Sequence, residues 1–162
     1  MPAYEHRHVV GFEETSLVGN VYFTNYLLWQ GHCRESFLRD HAPEVVEDLK
    51  EQRIAFFTRR CNCDYLGDWG FSALDDVLMR MTLAKFRGGR MTLDFDYFLD
   101  AARPELVARG SQEVHCKARV REDWVPAVYP SPMLRALRRF ADTQELIGAL
   151  DEALAFRSSQ TG

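Results

Sequence analysis

Val21-Tyr22-Phe23-Thr24-Asn25-Tyr26-Leu27-Leu28-Trp29-Gln30-Gly31-His32-Cys33-Arg34-Glu35-Ser36-Phe37-Leu38 is the stretch on which the fold turns. Its apolar and aromatic residues cover most of a helical wheel in the first turns, and a helix that is apolar nearly all round is a buried one. His41-Ala42-Pro43 ends it, because the residue before proline avoids helical angles. Pro43 to Lys50 follows as a short amphipathic turn of helix. Before it, Glu5 to Phe12 reads as a strand and Glu13 to Gly19 as a polar loop. After it the period changes to two. Ile54 to Tyr65 is a strand. Val77, Met79, Met81 and Leu83 alternate with polar neighbours, Gly88-Gly89 marks a hairpin, and Met91, Leu93, Phe95, Tyr97 and Leu99 alternate again. Ala101–Glu105 is a second turn, and Leu106 to Val120 is a third alternating strand with one buried face. The order strand, buried helix, run of strands gives an α+β fold in which a bent antiparallel sheet wraps a long central helix. Crossover helices are missing, which excludes a doubly wound parallel sheet.

The last quarter changes character. Trp124 to Pro132 holds three prolines and reads as extended or irregular. Pro132 opens a helix through Phe140. Thr143 caps another, with Leu146, Ile147, Leu150, Leu154 and Phe156 at helical spacing, and the last six residues read as frayed.

Composition narrows the function. The 162 residues are 46% hydrophobic and 27% charged, enough for one core, and the net charge of −4 argues against a nucleic-acid binder. Met1 to His8 has no apolar core of a signal peptide, and no apolar run is long enough to span a bilayer. Cys33, Cys61, Cys63 and Cys116 fit no zinc pattern and read as reduced structural thiols of a cytoplasmic protein. There is no His-Glu-x-x-His, P-loop or dinucleotide glycine motif, so no metal or other cofactor is expected.

The segment richest in chemistry is the polar loop running into the buried helix. Backbone N–H groups at a helix start favour negative charge and would hold a developing oxyanion in acyl transfer. Spacing alone favours the plainer reading, in which Ser16, Thr24 or Asn20 only caps that helix. Met79, Met81, Met91, Leu93, Phe95 and Phe98 suit an acyl tunnel, but any sheet packed on a helix shows such a face. Arg87, Arg90, Arg135, Arg138 and Arg139 are basic positions on an acidic chain, read either as solvated surface or as an attraction for an acidic partner.

Three runs carry a resemblance: Glu13-Glu14-Thr15-Ser16-Leu17-Val18-Gly19-Asn20-Val21-Tyr22-Phe23, Trp29-Gln30-Gly31, and Phe37-Leu38-Arg39-Asp40-His41-Ala42-Pro43. From about Tyr4 to Ala136 the sequence resembles the enediyne polyketide biosynthesis thioesterases, in the hot-dog fold group of the 4-hydroxybenzoyl-CoA thioesterases. The resemblance implies a hot-dog domain over residues 1–125, with 126–162 a tail of the same single domain. It implies hydrolysis of a β-ketoacyl or polyene thioester from the acyl carrier protein domain of an iterative polyketide synthase, with decarboxylation possible afterwards. It also implies a homodimer, commonly paired into a tetramer, with active sites at the dimer interface.

For the site, the resemblance implies catalytic Ser16, Arg34 and Tyr26, with Leu17, Val18, Gly19, Asn20 and Asn25 around the substrate. Ser16 stands where the wider superfamily often has a catalytic aspartate and the enediyne enzymes usually have asparagine. A serine without an activating partner is neither base nor nucleophile, so water is expected to attack directly. Arg34 keeps its proton and acts electrostatically. It follows Asn25 by nine residues, roughly 13 Å along the axis, so it meets Ser16 only by a fold-back of the loop or across subunits. A general acyl-CoA thioesterase and a non-catalytic hot-dog acyl-binding protein are the competing readings.

Overall fold

The computed structural model describes Pro2 to Gln160; expectations for Met1 and for residues 161–162 lie outside the described residues. The elements run β1 (Tyr4–Val9), a 3-10 turn (Phe12–Glu14), α1 (Asn25–His41), α2 (Pro43–Lys50), β2 (Ile54–Tyr65), β3 (Asp76–Arg87), β4 (Arg90–Leu99), β5 (Glu105–Val120), β6 (Asp123–Pro126), α3 (Ser131–Arg138) and α4 (Gln144–Gln160). The strands form one antiparallel sheet in the order β1-β3-β4-β5-β2, with β6 paired to β5. The sheet curls around α1 as the hot-dog reading requires.

Period-two patterning set the strands, and the inward residues Val77, Met79, Met81, Met91, Leu93, Phe95 and Tyr97 are all buried. These methionines and Phe95 close the core with Trp29, Cys33 and Phe37 of α1, whereas Phe98, expected on the same face, is half-buried off that core and Leu99 packs against it instead, after a register shift between Tyr97 and Phe98. Helix α1 is not apolar all round: Tyr26, Trp29, Cys33 and Phe37 are buried, whereas Leu28, His32, Glu35 and Arg39 form an exposed stripe. It also starts four residues later than the apolar run. Val21 is captured by the sheet side, bridging Thr15 and donating its N–H to the Phe71 carbonyl at 2.8 Å.

The tail is more ordered than its composition predicts. Asp123–Pro126 joins the sheet as β6, and Pro126 can sit there because proline is tolerated at a strand end. Thr143 caps α4 as expected, its Oγ1 accepting from Leu146 N–H at 3.2 Å. Helix α4 continues to Gln160 rather than fraying after Phe156, and Leu146, Leu150 and Ala153 join the buried core.

Two close fits seat α1. At Gly110 of β5 a Cβ would lie 2.2 Å from Gln30 Nε2 and 2.6 Å from the Asn62 carbonyl, so only glycine lets the helix reach the sheet there. The second is the Glu14 carboxylate, buried at the end of the 3-10 turn. Its Oε1 accepts from Gly11 N–H at 2.9 Å and lies 2.6 Å from His8 Nε2, and its Oε2 accepts from Trp29 Nε1–H at 2.6 Å. The Glu14 carbonyl accepts from Tyr22 N–H and Asn25 Nδ2–H. One residue thus ties β1, the loop and α1 together. Burial raises the Glu14 pKa, but the Gly11 N–H, Trp29 and His8 outweigh it and hold the carboxyl below its usual range.

Gly110→Ala is expected to cost about 1–3 kcal/mol through forced displacement of Gln30, read as a lowered unfolding midpoint. Glu14→Gln is expected to destabilise by about 2 kcal/mol, because an amide cannot accept from all its partners. A depressed carboxyl contributes stability that is present above its unfolded pKa of about 4.3 and lost as pH falls through the lower folded value. Denaturant titrations should therefore show the wild-type advantage over Glu14→Gln shrinking on acidification below about pH 4.

Candidate active site

The loop from Thr15 to Val21 is a closed turn. Ser16 N–H donates to the Asn20 carbonyl at 2.8 Å, Gly19 N–H donates to the Ser16 carbonyl at 2.9 Å, and Ser16 Oγ–H donates to Asn20 Oδ1 at 2.7 Å. Gly19 has a φ of +91°, the left-handed region where glycine is favoured. Asn20 is held from its other side, its Nδ2–H reaching the Trp69 carbonyl at 3.1 Å. Leu17 and Val18, at the tip, are exposed apolar side chains. Asn25 donates Nδ2–H to the Glu14 and Tyr22 carbonyls. Ser16, Leu17, Val18, Gly19, Asn20 and Asn25 therefore gather at one end of α1.

Of the two remaining site residues, Tyr26 lies in the first turn of α1 at that same end, and only Arg34 lies elsewhere. Tyr26 is 3% exposed, ringed by Trp29, Tyr65, Phe71 and Tyr97. Its hydroxyl lies beneath Gly70, where a Cβ would come within 2.4 Å, and accepts from Phe71 N–H at 3.4 Å. Burial pushes its pKa up, which keeps the hydroxyl protonated. Tyr26 thus supports the 69–72 segment against which Asn20 docks.

Arg34 lies further along α1, over β2 and β5. Its Nη1 donates to Thr58 Oγ1 at 3.0 Å and to Gln112 Oε1 at 2.9 Å, both neutral. Burial pulls its pKa down, partly countered by Tyr129 and Glu35, which marks a guanidinium withdrawn from water. Within one chain Arg34 and the Ser16 loop have separate partners. One turn before Arg34, the wholly buried Gln30 donates Nε2–H to the Asn62 carbonyl at 2.9 Å, while its Oε1 has no partner among the described residues.

One expectation about the loop changes. The amides of Asn25, Tyr26 and Leu27 already donate to the Tyr22, Phe23 and Thr24 carbonyls, so the first turn of α1 is not an open oxyanion hole. Ser16 has an amide oxygen beside it and no carboxylate, because both Glu14 oxygens are occupied and Glu13 is exposed.

The sequence reading passed over three elements. Glu14 stands in the sequence only as part of a polar run, with nothing to mark its carboxylate as buried. Gln112 interrupts the inward stripe of Ala108, Val114 and Cys116 on β5, a polar residue on an apolar face that itself signals a site. The third is a cavity of about 720 Å³ beside the β3–β4 turn, lined by Arg59, Arg87, Arg90, His115 and Lys117 with Gly89 and the Pro126–Val128 segment. Every permanently charged residue in that lining is basic. Arg87 and Arg90 were read from the sequence, but their company was not, because it comes from β2 and β5. Arg135, Arg138 and Arg139 sit apart, on and just after α3, and Arg138 is paired with Asp151 at 2.8 Å.

All four cysteines are free; Cys33 and Cys116 are buried, and Cys61, on the edge strand, is exposed. No group of metal-binding side chains occurs among the described residues, and none of their helices is long and apolar enough to cross a membrane.

No protein-family profile matches the chain, and no curated protein sequence matches it. Solved structures do. The 1,4-dihydroxy-2-naphthoyl-CoA thioesterase from Synechocystis superposes with a TM-score of 0.71 at 19% identity, over 83% of this chain and 95% of that one. The 4-hydroxybenzoyl CoA thioesterase from Pseudomonas sp. strain CBS-3 gives 0.70 at 15% identity, over 84% and 99%. Both show the shared fold. The dynemicin thioesterase, whose crystal structures concern induced-fit and allosteric effects upon polyene binding, gives a TM-score of 0.80 at 45% identity, over 87% of this chain and 99% of that one. With the Ser16 loop and Arg34 set on that common frame, the chain belongs to the enediyne thioesterase family of the dynemicin enzyme, within the hot-dog 4-hydroxybenzoyl-CoA thioesterase-like superfamily.

Proposed function

We propose that the protein hydrolyses a polyketide thioester, β-ketoacyl or polyene, carried by the acyl carrier protein domain of an iterative polyketide synthase. One observation carries the reading: Arg34 is a half-buried cation bonded only to neutral side chains. Such a group is under-compensated until negative charge appears beside it, and a tetrahedral oxyanion supplies that charge. Both of its bonds leave from Nη1, so the rest of the planar fork is available to a carbonyl oxygen.

Chemistry follows from the groups at hand. Water adds to the thioester carbon while Arg34 stabilises the oxygen that gains charge. The C–S bond then breaks, the acid is released, and the carrier thiolate takes up the proton that the water gave up. Ser16 and Asn20 supply neutral hydrogen bonds, and Tyr26 positions their support. A β-keto acid freed in this way loses CO2 readily, so a methyl ketone is an expected product.

The site is completed by a second copy in this reading. Strand β2 ends the sheet, and its residues from Thr58 to Asn62 are exposed although they border Arg34 through Thr58. An edge this long invites antiparallel pairing. Phe12, Leu17, Val18, Tyr22, Phe23 and Trp69 expose apolar surface near the loop, which suits burial against that copy. The basic cavity suits the phosphate of a phosphopantetheine arm and the acidic surface of a carrier domain. Coenzyme A presents the same arm, so an acyl-CoA substrate is the second reading.

Arg34→Ala is expected to lower kcat for thioester hydrolysis about 10²–10³-fold with little change in unfolding midpoint, and Arg34→Lys to recover only part of it. A loss under about tenfold would overturn the assignment. Arg90→Glu is expected to raise KM about tenfold for the carrier-borne substrate, most strongly at low salt. Comparing one acyl chain on the carrier domain and on coenzyme A separates the two readings, since the first requires the higher kcat/KM on the carrier.

A further inference from the structure

The basic cavity has one wall that neither the sheet nor the carrier chemistry accounts for. After β6 the chain crosses the β3–β4 turn: Ala127 N–H donates to the Cys116 carbonyl at 3.1 Å and Tyr129 N–H to the Gly88 carbonyl at 3.4 Å. The approach is so close that a Cβ on Gly89 would lie 2.2 Å from the Ala127 carbonyl oxygen. The Tyr129 side chain is wholly buried between Phe56 and Phe86 and donates its hydroxyl to the Val114 carbonyl at 2.7 Å. The carbonyls of Val128 and Tyr129 lie beyond the strand pairing. Arg157 reaches both, its Nε–H donating to the Tyr129 carbonyl at 3.1 Å and its Nη2–H to the Val128 carbonyl, which also accepts from Cys116 Sγ–H at 4.0 Å.

Arg157 is placed by the helix that carries it. Leu146, Leu150 and Ala153 form the buried stripe of α4, and Arg157 is the next position on that stripe. It is half-buried, and its charge acts on Cys116, another residue of the cavity wall. Helix α4 also lies beyond the stretch whose sequence resembles the enediyne thioesterases. The dynemicin enzyme is matched over 99% of its length but only 87% of this chain, which therefore carries additional length.

We propose that Arg157 is a positioning residue: helix α4 straps the Pro126–Tyr129 segment through it and so fixes the wall of the basic cavity that grips the phosphate-bearing arm of the substrate. Tyr129 is anchored independently by its ring and by Val114, and Ala127 by its N–H on the Cys116 carbonyl, so loss of Arg157 releases the Val128 carbonyl rather than disturbing Arg34. The strap acts on substrate capture and leaves the chemical step alone. This inference rests on the reading of the cavity as the arm's subsite.

The test uses the full-length protein and two substrates bearing the same acyl group, one on the carrier domain and one on N-acetylcysteamine, which has no phosphate. Arg157→Ala is expected to raise KM at least fivefold for the carrier-borne substrate, with kcat unchanged and with both constants unchanged for the small thioester. Arg157→Lys, which keeps the charge and one donor direction, is expected to recover part of that KM. Asp151→Ala, which breaks the exposed α3–α4 ion pair and spares Arg157, controls for general loosening of α4 and is expected to leave KM unaltered. An unchanged KM in Arg157→Ala, while Arg90→Glu raises it, would overturn the strap and leave the subsite standing. An unchanged KM in both variants would overturn the subsite as well. Equal losses on both substrates with a lowered unfolding midpoint would reduce Arg157 to a structural role and also overturn the proposal.

Discussion

A guanidinium drawn half out of water, with only neutral oxygens to bond, is the constraint around which this molecule is arranged. Desolvation of Arg34 is unfavourable unless hydrogen bonds compensate it, and Thr58 and Gln112 do so only in part. Helix α1 must therefore be held firmly enough that Arg34 cannot swing into solvent. The curled sheet, the bare backbone at Gly110 and the Trp29 bond to Glu14 all serve that end. A residual imbalance in charge then remains where an acyl oxygen would gain negative charge.

Glu14 completes this division of labour. In many acyl-transfer sites a carboxylate beside the substrate is the base; here the nearest buried one has its oxygens filled by His8, the Gly11 N–H and Trp29. It works as a fastener between β1, the loop and α1. In the proposed reaction the chemistry is left to polarity and position: an arginine that cannot lose its proton and the Ser16–Asn20 turn. The basic cavity lies beside the turn of the β3–β4 hairpin, where its Arg59 directly follows Thr58, a partner of Arg34.

Much of the architecture could be read from period and punctuation. The β3–β4 hairpin followed from alternation on either side of Gly88-Gly89, and the Thr143 cap from its position before an apolar helical repeat. What failed was local competition. Val21 to Thr24 look helical by composition, but the sheet side captures Val21 and delays α1 to Asn25. The prolines around Pro126 hid β6, and Arg157, a charged residue near a chain end, hid the docked end of α4. The loop cluster was legible because its residues are contiguous. The surroundings of Arg34 were not, since Thr58 and Gln112 come from distant strands joined by sheet register and Tyr129 from the segment after β6.

The central claim is that Arg34 meets the acyl oxygen in a pocket that holds no carboxylate base. A crystal structure of the protein with a non-hydrolysable ketone analogue of the carrier-borne thioester tests it most directly. The account predicts the ketone oxygen within about 3 Å of an Arg34 nitrogen, with the Ser16 loop of a second copy against the same ligand. A carboxylate poised over the carbonyl carbon, or an Arg34 fork turned away from the ligand, would contradict it.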